Sequence, residues 1–274
     1  MRNIRKKVVF SLVFTACLIG GCGWTVSLRD ASQEVVEGSG TIVEEDRMVR
    51  DFSSLSVVGS GEVIITQNGE ESLTVQTDDN IMPYIKTDVI AGTLVLGFSA
   101  QARDKDLRPS DGIVFILTVD DLSGMEITGS GDITCSSLES DRFDIEVIGS
   151  GDIRLHSLEA EQLEIGIAGS GDIRIDSVTA DELGVIISGS GELRLAGETR
   201  EQDIVISGSG DVEARDLSSQ KVTVSTAGSG NATVWAIDRL IVRISGSGSV
   251  WYFGKPLVSE SVSGSGGAYS LGRR

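Results

Sequence analysis

The tripeptide Gly-Ser-Gly recurs at an almost constant spacing, and this repeat constrains the fold of the chain more than any other feature. Its ten copies begin at residues 38, 59, 129, 149, 169, 189, 208, 228, 246 and 264. From residue 129 onward the copies follow one another every 18 to 20 residues. Such a period is typical of a solenoid, in which each repeat forms one coil stacked on the previous coil.

The residues between the glycines alternate apolar and polar side chains, as in segments 153–155 (Ile-Arg-Leu) and 173–175 (Ile-Arg-Ile). A period of two with β-branched residues predicts strands. We therefore predict an all-β fold in which residues 129–274 form a parallel β-helix, with two short strands and two turns in each coil. The Gly-Ser-Gly units would stack at one corner, where glycine supplies backbone angles that other residues avoid. Cys135 falls on an inward position and is expected to be a buried structural thiol.

Residues 42–128 follow a less regular plan. Alternation and turn signals predict strands at 55–58, 62–67, 72–77, 84–90, 93–98 and 113–119. Two interpretations fit this section: a separate N-terminal β domain, or wider, less regular coils of the same solenoid. We favour the second interpretation.

The N-terminal segment resembles a bacterial lipoprotein signal. Basic residues precede an apolar run of about a dozen residues that is too short to span a membrane comfortably, and the run ends at Gly20-Gly21-Cys22. We predict a signal peptide at 1–21, lipidation of Cys22 and a polar tether at 22–41, which together place the protein at the cell envelope, at the outer membrane. An ordinary secretory signal with a chance cysteine is the alternative. Because Cys17 would leave with the signal, no intrachain disulfide is expected.

Two blocks of sequence resemble a known family. Residues 51–63 (DFSSLSVVGSGEV) look like the opening of the head GIN domain family of auto-transporter adhesins, and residues 80–87 (NIMPYIKT) resemble its next block. With the glycine repeat, the resemblance covers roughly residues 40–270. It implies an all-β fold and a role in adhesion, and it supplies no catalytic residues.

The charge of the chain excludes some functions. Its 41 acids against 23 Lys and Arg give a net charge of -18, whereas nucleic-acid binding needs a basic surface. A single histidine argues against His-based zinc sites and most catalytic triads. We therefore expect no nucleic-acid partner, no cofactor and no metal.

An acidic residue directly follows the tripeptide in five successive coils: Asp132, Asp152, Asp172, Glu192 and Asp211. A column of carboxylates about 5 Å apart repels itself, which calls for either calcium or built-in counter-charges. Arg154, Arg174 and Arg194 lie two residues further on, on the same outward face. We favour a ladder of ion pairs over calcium.

Aromatic residues interrupt the pattern in the last coils. The position of the outward arginines is taken there by Thr233, Trp251 and Tyr269, and Trp235 lies two residues beyond Thr233. An exposed aromatic stripe of Trp235, Trp251 and Tyr269 can bind a sugar ring or another ligand. The alternative is that these side chains cap the open core or dock a neighbouring chain.

These features favour a non-catalytic binding module attached to a membrane by its N-terminal lipid, such as an adhesin for glycan or protein. Two alternatives are retained: a self-associating structural scaffold of the envelope, and a polysaccharide-active enzyme built on a β-helix. No catalytic residue can be assigned from the sequence.

Overall fold

Residues 33–274, which the computed structural model describes, form nineteen strands and two short 3₁₀ turns, at Met82–Tyr84 and Ala100–Ala102. The first nine strands are β1 (Glu34–Glu37), β2 (Ile42–Arg47), β3 (Ser54–Gly59), β4 (Glu62–Gln67), β5 (Ser72–Asp78), β6 (Ile85–Ile90), β7 (Thr93–Phe98), β8 (Lys105–Arg108) and β9 (Val114–Val119). The others are β10 (Gly124–Gly129), β11 (Asp132–Gly149), β12 (Ile153–Gly169), β13 (Ile173–Ile187), β14 (Glu192–Gly208), β15 (Asp211–Gly228), β16 (Ala232–Gly246), β17 (Val250–Phe253), β18 (Leu257–Gly264) and β19 (Ala268–Gly272). The predicted all-β fold is confirmed. The six strands predicted between residues 55 and 119 match observed strands to within one residue at each end, whereas β1, β2, β8 and β10 were not predicted.

The regular coils stack in parallel, one repeat per coil. Ile153 of β12 pairs with Ile133 of β11 on one side and with Ile173 of β13 on the other. The same register aligns the tripeptide corners, because Gly149 lies between Gly129 and Gly169. The chain therefore forms the predicted parallel β-solenoid, with about 7 turns.

Each regular coil has three sides, one more than the sequence analysis predicted. In β12 the buried residues are Ile153 and Leu155 on a first side, Leu158 and Ala160 on a second, and Leu163, Ile165 and Ile167 on a third. Alternation is reset at residues 156–157 and 161–162, where neighbouring side chains both reach solvent. The short second side was missed because its Leu-x-Ala pair is too brief to stand out as a strand by period alone.

The apolar rows of the three sides form one continuous core. All the residues predicted to point inward on the first and third sides are buried, including Cys135, whose thiol has a pKa raised by burial. Stacking repeats each apolar side chain about every 4.8 Å along the axis, so each coil buries its core only against its neighbours.

The two glycines of each corner in the regular coils serve different purposes. Gly149 has a φ of +136°, and a Cβ added there would lie 2.2 Å from the carbonyl oxygen of Gly129 in the preceding coil. Gly151 has no such φ, but a Cβ would lie 2.1 Å from the carbonyl oxygen of Gly131. Only the first glycine is thus needed for its backbone angles, whereas both are needed for the close approach of successive corners.

Residues 42–128 extend the same stack and then close it. β3 pairs in parallel with β10 and β7, and β4 pairs in parallel with β11 and β9, so the third and the first side of the solenoid continue into this section. Beyond these strands the direction changes: β6 runs antiparallel to β7, β5 runs antiparallel to β9, and β2 runs antiparallel to β5. We call this the capped end.

A buried carboxylate holds the capped end together. Asp78, at the end of β5, is fully buried and accepts hydrogen bonds from the Ser110 amide and hydroxyl (both 2.7 Å) and from the Gly40 amide (2.7 Å). These bonds, that from the Ser110 hydroxyl above all, lower the pKa of Asp78. The Gly-Ser-Gly at 38–40 therefore surrounds the Asp78 carboxylate and does not belong to the stack of corners. It follows β1, which lies in the stretch predicted to be a tether and pairs with β8.

Among the described residues, no such closure covers the opposite end of the solenoid, and we call it the open end. β18 pairs only with β16, and β19 only with β17, among the strands of residues 33–274. All eight residues of β18 are exposed, although the register places Val258 and Val262 directly over the buried Leu240 and Ile244. The last coil thus continues the core rows into solvent.

Within the described part of the chain, no helix is long and apolar enough to cross a membrane. The predicted signal peptide, Cys22 and the first part of the predicted tether lie outside the described residues.

Candidate binding surface

Stacking turns each outward position of a coil into a row that runs along the solenoid. On the first side the register joins the positions of Thr134, Arg154, Arg174, Arg194, Glu213, Thr233, Trp251 and Tyr269. The row is charged in the middle coils and aromatic at the open end, as predicted from the repeat.

The column of acidic residues that follows the tripeptide forms the predicted ladder of ion pairs only in part. Arg154 contacts Asp152 at 2.8 Å and Arg194 contacts Glu192 at 2.9 Å. Arg174 instead contacts Asp176 at 2.7 Å, and not Asp172. The arginine is also the main cause of the lowered pKa of Asp176. All these pairs are solvent-exposed, and exposed ion pairs stabilise a fold by only about 0–1 kcal/mol each.

The ladder carboxylates have a second role that sequence reasoning missed. The Oδ1 atom of Asp132 accepts the backbone N–H of Asp152 at 3.0 Å, Asp152 does the same for Asp172 at 3.0 Å, and Asp172 for Glu192 at 2.9 Å. Where Glu192 stands, its longer side chain makes no such bond, and the N–H of Asp211 instead donates to the carbonyl of Gly191 at 3.2 Å.

The hydrogen bonds between successive coils return at Asn231, and this residue shows which side-chain property they require. Its N–H donates to Asp211 at 2.9 Å, and its own side-chain oxygen accepts the N–H of Ser249 at 3.1 Å. Because a neutral amide can replace the carboxylate, the position requires a short side-chain acceptor more than a charge. Within residues 33–274, no group of three or more acidic, His or Cys side chains is arranged to hold a metal ion.

The three aromatic residues predicted to bind a ligand fall into two neighbouring clusters. Trp251 and Tyr269 stack in one row, with ring centroids 6.2 Å apart and planes tilted by 31°. Tyr269 is 49 % exposed and Trp251 is partly exposed. Thr233, the residue before them in the row, is buried and hydrogen-bonds Glu213 at 3.3 Å. The pair therefore offers an open aromatic surface at the last two coils.

Trp235 belongs to the second cluster, two positions further along the coil. It pairs in register with Phe253, and the Arg274 guanidinium lies 5.4 Å from the Trp235 ring and 5.7 Å from the Phe253 ring. Arg274 also contacts the carbonyl of Arg215 and the carboxylate of Asp216. Trp235 is thus covered in part by the C-terminus, and Phe253 and Arg274 join the site although sequence reasoning did not select them. The Trp251-x-Phe253 spacing, which matches Thr233-x-Trp235, was the available signal for Phe253.

A long shallow groove follows the second side of the solenoid, with a volume of about 1320 Å³. Its lining includes seven acids and two arginines, Arg142 and Arg200. The acids recur from coil to coil, as in the register row of Glu139 and Glu159. A repeating surface of this kind singles out no pair of groups for acid–base chemistry.

The third side carries carboxylates whose ionisation is disfavoured. Burial raises the pKa of Glu164 and of Glu146, and the neighbouring charge of Glu126 adds to the effect on Glu146. Gly184 leaves room for the Glu164 side chain, since a Cβ there would lie 2.0 Å from its carboxylate. Glu164 pairs in register with Asp144, whose charge adds to the effect of burial, so these shifts reflect burial and like charges along the stack.

Comparisons with known proteins agree with this architecture. The model of one family, described as "Putative auto-transporter adhesin, head GIN domain", matches residues 51–175 and 157–256. A crystal structure of a "putative lipid binding protein" from Parabacteroides distasonis is 27 % identical, with a TM-score of 0.81 over 87 % of this chain and 100 % of its own. A "putative adhesin" from Bacteroides fragilis is 25 % identical, with a TM-score of 0.65 over 86 % of this chain and 100 % of its own.

A further "putative adhesin" from Parabacteroides distasonis is similar in fold, with 23 % identity and a TM-score of 0.82 over 87 % of this chain and 100 % of its own. None of the curated proteins matches the chain.

Proposed function

Because the chain belongs to the auto-transporter adhesin head GIN domain family, we propose that it is a non-catalytic binding module of the cell envelope, an adhesin that binds glycan through Trp251 and Tyr269. The observation that carries this proposal is the stacked, solvent-facing pair of rings at the open end. Aromatic faces bury the apolar face of a sugar while leaving its hydroxyls in water.

The site is suited to weak, repeated binding. The rings stand on adjacent parallel strands, β17 and β19, so the spacing of their attachment points is set by the backbone ladder. Arg274 adds a positive charge next to Trp235, within a chain of net charge -18. An acidic or neutral sugar would therefore be tolerated at this end better than elsewhere on the surface.

The test is binding to a glycan array by residues 33–274, comparing the wild type with the double variant Trp251→Ala, Tyr269→Ala. We expect the double variant to lose at least about tenfold in affinity, the scale of one or two lost stacking contacts. Ile186→Ala, at an exposed apolar position on the third side, is the control and should bind normally. Glycan binding that survives the double substitution would refute the aromatic site.

The proposed attachment is a lipid on Cys22, which would hold the solenoid at the membrane by its capped end. Two or three acyl chains suffice for stable anchoring. In a bacterial host, an alkyne fatty acid should label the protein and bring it to the membrane fraction, and Cys22→Ala should abolish both. Membrane association that persists in Cys22→Ala without label would refute lipidation.

An enzyme acting on polysaccharide is the weaker alternative, and the acidic groove is the place where it would act. The structural relatives above are described as adhesins or as lipid binding, which supports a binding role. Release of reducing sugar from envelope polysaccharide, lost on substitution of Glu159 alone, would favour the enzyme instead.

A further inference from the structure

We infer that the open end of the solenoid binds the open end of a second copy of this chain, so that two molecules meet tip to tip. This inference goes beyond the proposed glycan site, and its first test does not depend on it. It rests on the backbone edges, the apolar rows and the local charge of the last coil.

The backbone of the last coil is paired on one side only. β18 bonds to β16 and β19 bonds to β17, and the outer edges of both strands find no partner strand within residues 33–274. A row of free N–H and C=O groups is a template for pairing with another strand. At the capped end the edges of the parallel strands β7 and β9 are covered inside the chain by the antiparallel strands β6 and β5.

Apolar side chains of the last coil lie in the core rows but are exposed to solvent. Val258 and Val262 continue the rows of Leu240 and Ile244, yet they are 42 % and 39 % exposed. Leu257 and Leu271 are exposed beside them. A cluster of apolar residues of this kind on a soluble surface marks an interaction site.

Charge favours this end as the place where two copies can approach. Residues 250–274 contain Lys255, Arg273 and Arg274 against a single acid, Glu260, whereas the whole chain carries a net charge of -18. Elsewhere two copies would repel each other. The open end carries a local charge of only about +2, so repulsion between two copies is weakest where their open ends meet.

The shape of the end favours a second copy over a peptide. The last coil presents two strand edges, those of β18 and β19, with apolar rows between them. A single extended peptide can pair with only one edge, whereas the same end of another copy has the same cross-section and covers both. A two-fold axis makes the paired edges antiparallel and the interface isologous.

The charge of Glu260 is expected to weaken this contact. Glu260 stands in the row of the buried Val242, and its carboxylate accepts the N–H of Ala268 at 3.0 Å. In a tip-to-tip pair this charge would lose water, which weakens the contact and limits uncontrolled stacking. We therefore expect a reversible dimer with a Kd of about 10–1000 µM.

Such a pair would place the two N-termini far apart. Gln33 lies beside Ser60 and Phe98 in the capped end, and about 7 turns at about 4.8 Å per coil separate it from the open end. With each chain anchored by its N-terminus, as proposed above, the contact would bridge two facing membranes.

The first test is sedimentation of residues 33–274, a unit that contains the entire described core, at about 10 µM to 1 mM. The wild type should dimerise, Val262→Lys should weaken dimerisation at least tenfold, and Glu260→Gln, which keeps the acceptor oxygen, should strengthen it. The matched control is Ile148→Lys, since Ile148 is also 39 % exposed but lies on the third side away from the tip.

Circular dichroism melting establishes that each variant is folded, and amide exchange locates the contact. In the wild type, exchange in β18 and β19 should slow as concentration rises. A wild type that is monomeric at 1 mM, or dimers that Val262→Lys and Ile148→Lys disturb equally, would overturn the inference.

The second test attaches the same chain by an N-terminal His tag to nickel-lipid vesicles. Clumping of the vesicles, lost with Val262→Lys and retained with Ile148→Lys, is expected. Dimers in solution without clumping would overturn the opposed arrangement. Loss of glycan binding in the Trp251→Ala, Tyr269→Ala variant bears only on the glycan site, so the two proposals fail separately.

Discussion

The two ends of this solenoid differ in whether the chain covers the strand edges and core rows that a stack of parallel coils leaves exposed. At the capped end the chain reverses direction, so that antiparallel strands pair with the last parallel edges, and Asp78 is buried with three hydrogen-bond donors around it. At the open end β18 and β19 each have one partner strand among residues 33–274, and Glu260 lies in a core row with one donor.

The difference shows what a parallel stack cannot do for itself. Every added coil pairs with the previous one and leaves a new edge, so a repeat has no internal signal to stop. Closure requires a departure from the repeat, and within residues 33–274 that departure lies in residues 42–128. Four predictions test the contrast, beginning with the largest expected effect.

The first prediction compares core residues at the two ends. Phe115, on β9 of the capped end, is 2 % exposed, and Phe115→Ala should cost about 3–5 kcal/mol in the free energy of unfolding. Val262→Ala at the open end should cost less than about 0.5 kcal/mol in dilute monomer. Urea unfolding measures both, and similar losses would show that the last coil is as well packed as the first.

The second prediction compares glycines in the middle and at the tip. Gly149 and Gly272 both have positive φ, but only at Gly149 would a Cβ meet the neighbouring coil. We expect Gly149→Ala to cost about 2–3 kcal/mol, from strain plus the clash, and Gly272→Ala about 1 kcal/mol, from strain alone. Thermal melting would contradict this reasoning if the two variants were equally destabilised.

The third prediction concerns the pH dependence of the capped end. Since the pKa of Asp78 is lowered from its ordinary value of 3.8, its ionised form stabilises the fold above that value, and the stabilisation is lost as the pH falls through the lowered pKa. Asp78→Asn should therefore reduce the melting temperature at about pH 6, and the difference from wild type should shrink at about pH 2.5. A constant difference across this range would mean that the charge is unimportant.

The fourth and smallest effect concerns the regular coils between the ends. Asp172→Ala removes the acceptor of the Glu192 N–H and should cost about 1 kcal/mol. Asp172→Asn keeps an acceptor, as Asn231 does naturally, and should be nearly neutral. If both substitutions cost the same, charge and not the hydrogen bond would explain the ladder.

The regular coils were predictable because their information is local and repeated. Alternation across segments such as 153–155 reveals which side chains point inward, and the tripeptide spacing sets the register between coils. The second side escaped prediction since Leu158 and Ala160 span only three residues. Gln202 also contradicts the pattern, because this amide is buried in a row otherwise filled by residues such as Leu183 and Val222.

The binding surface was only partly predictable. The register that stacks Trp251 on Tyr269 follows from the repeat, and the structure places them as expected. The cover that Arg274 forms over Trp235 joins residues 39 positions apart in sequence, and no periodic signal links them. The hydrogen bonds that Asp132 and Asp152 accept from the backbone N–H of the next coil depend on the distance between coils, which only the tertiary structure sets.

By itself, then, the sequence determined the all-β class, the parallel stacking, the corner glycines and most of the core, because each of these depends on a period that is written in every repeat. Only the tertiary structure decided how the stack ends. Closure at one end arises from antiparallel pairing between strands that are distant in sequence, and openness at the other arises from the lack of a further strand for β18 and β19 within the described chain. Such pairing depends on which edges meet in space, and no local pattern of residues specifies it.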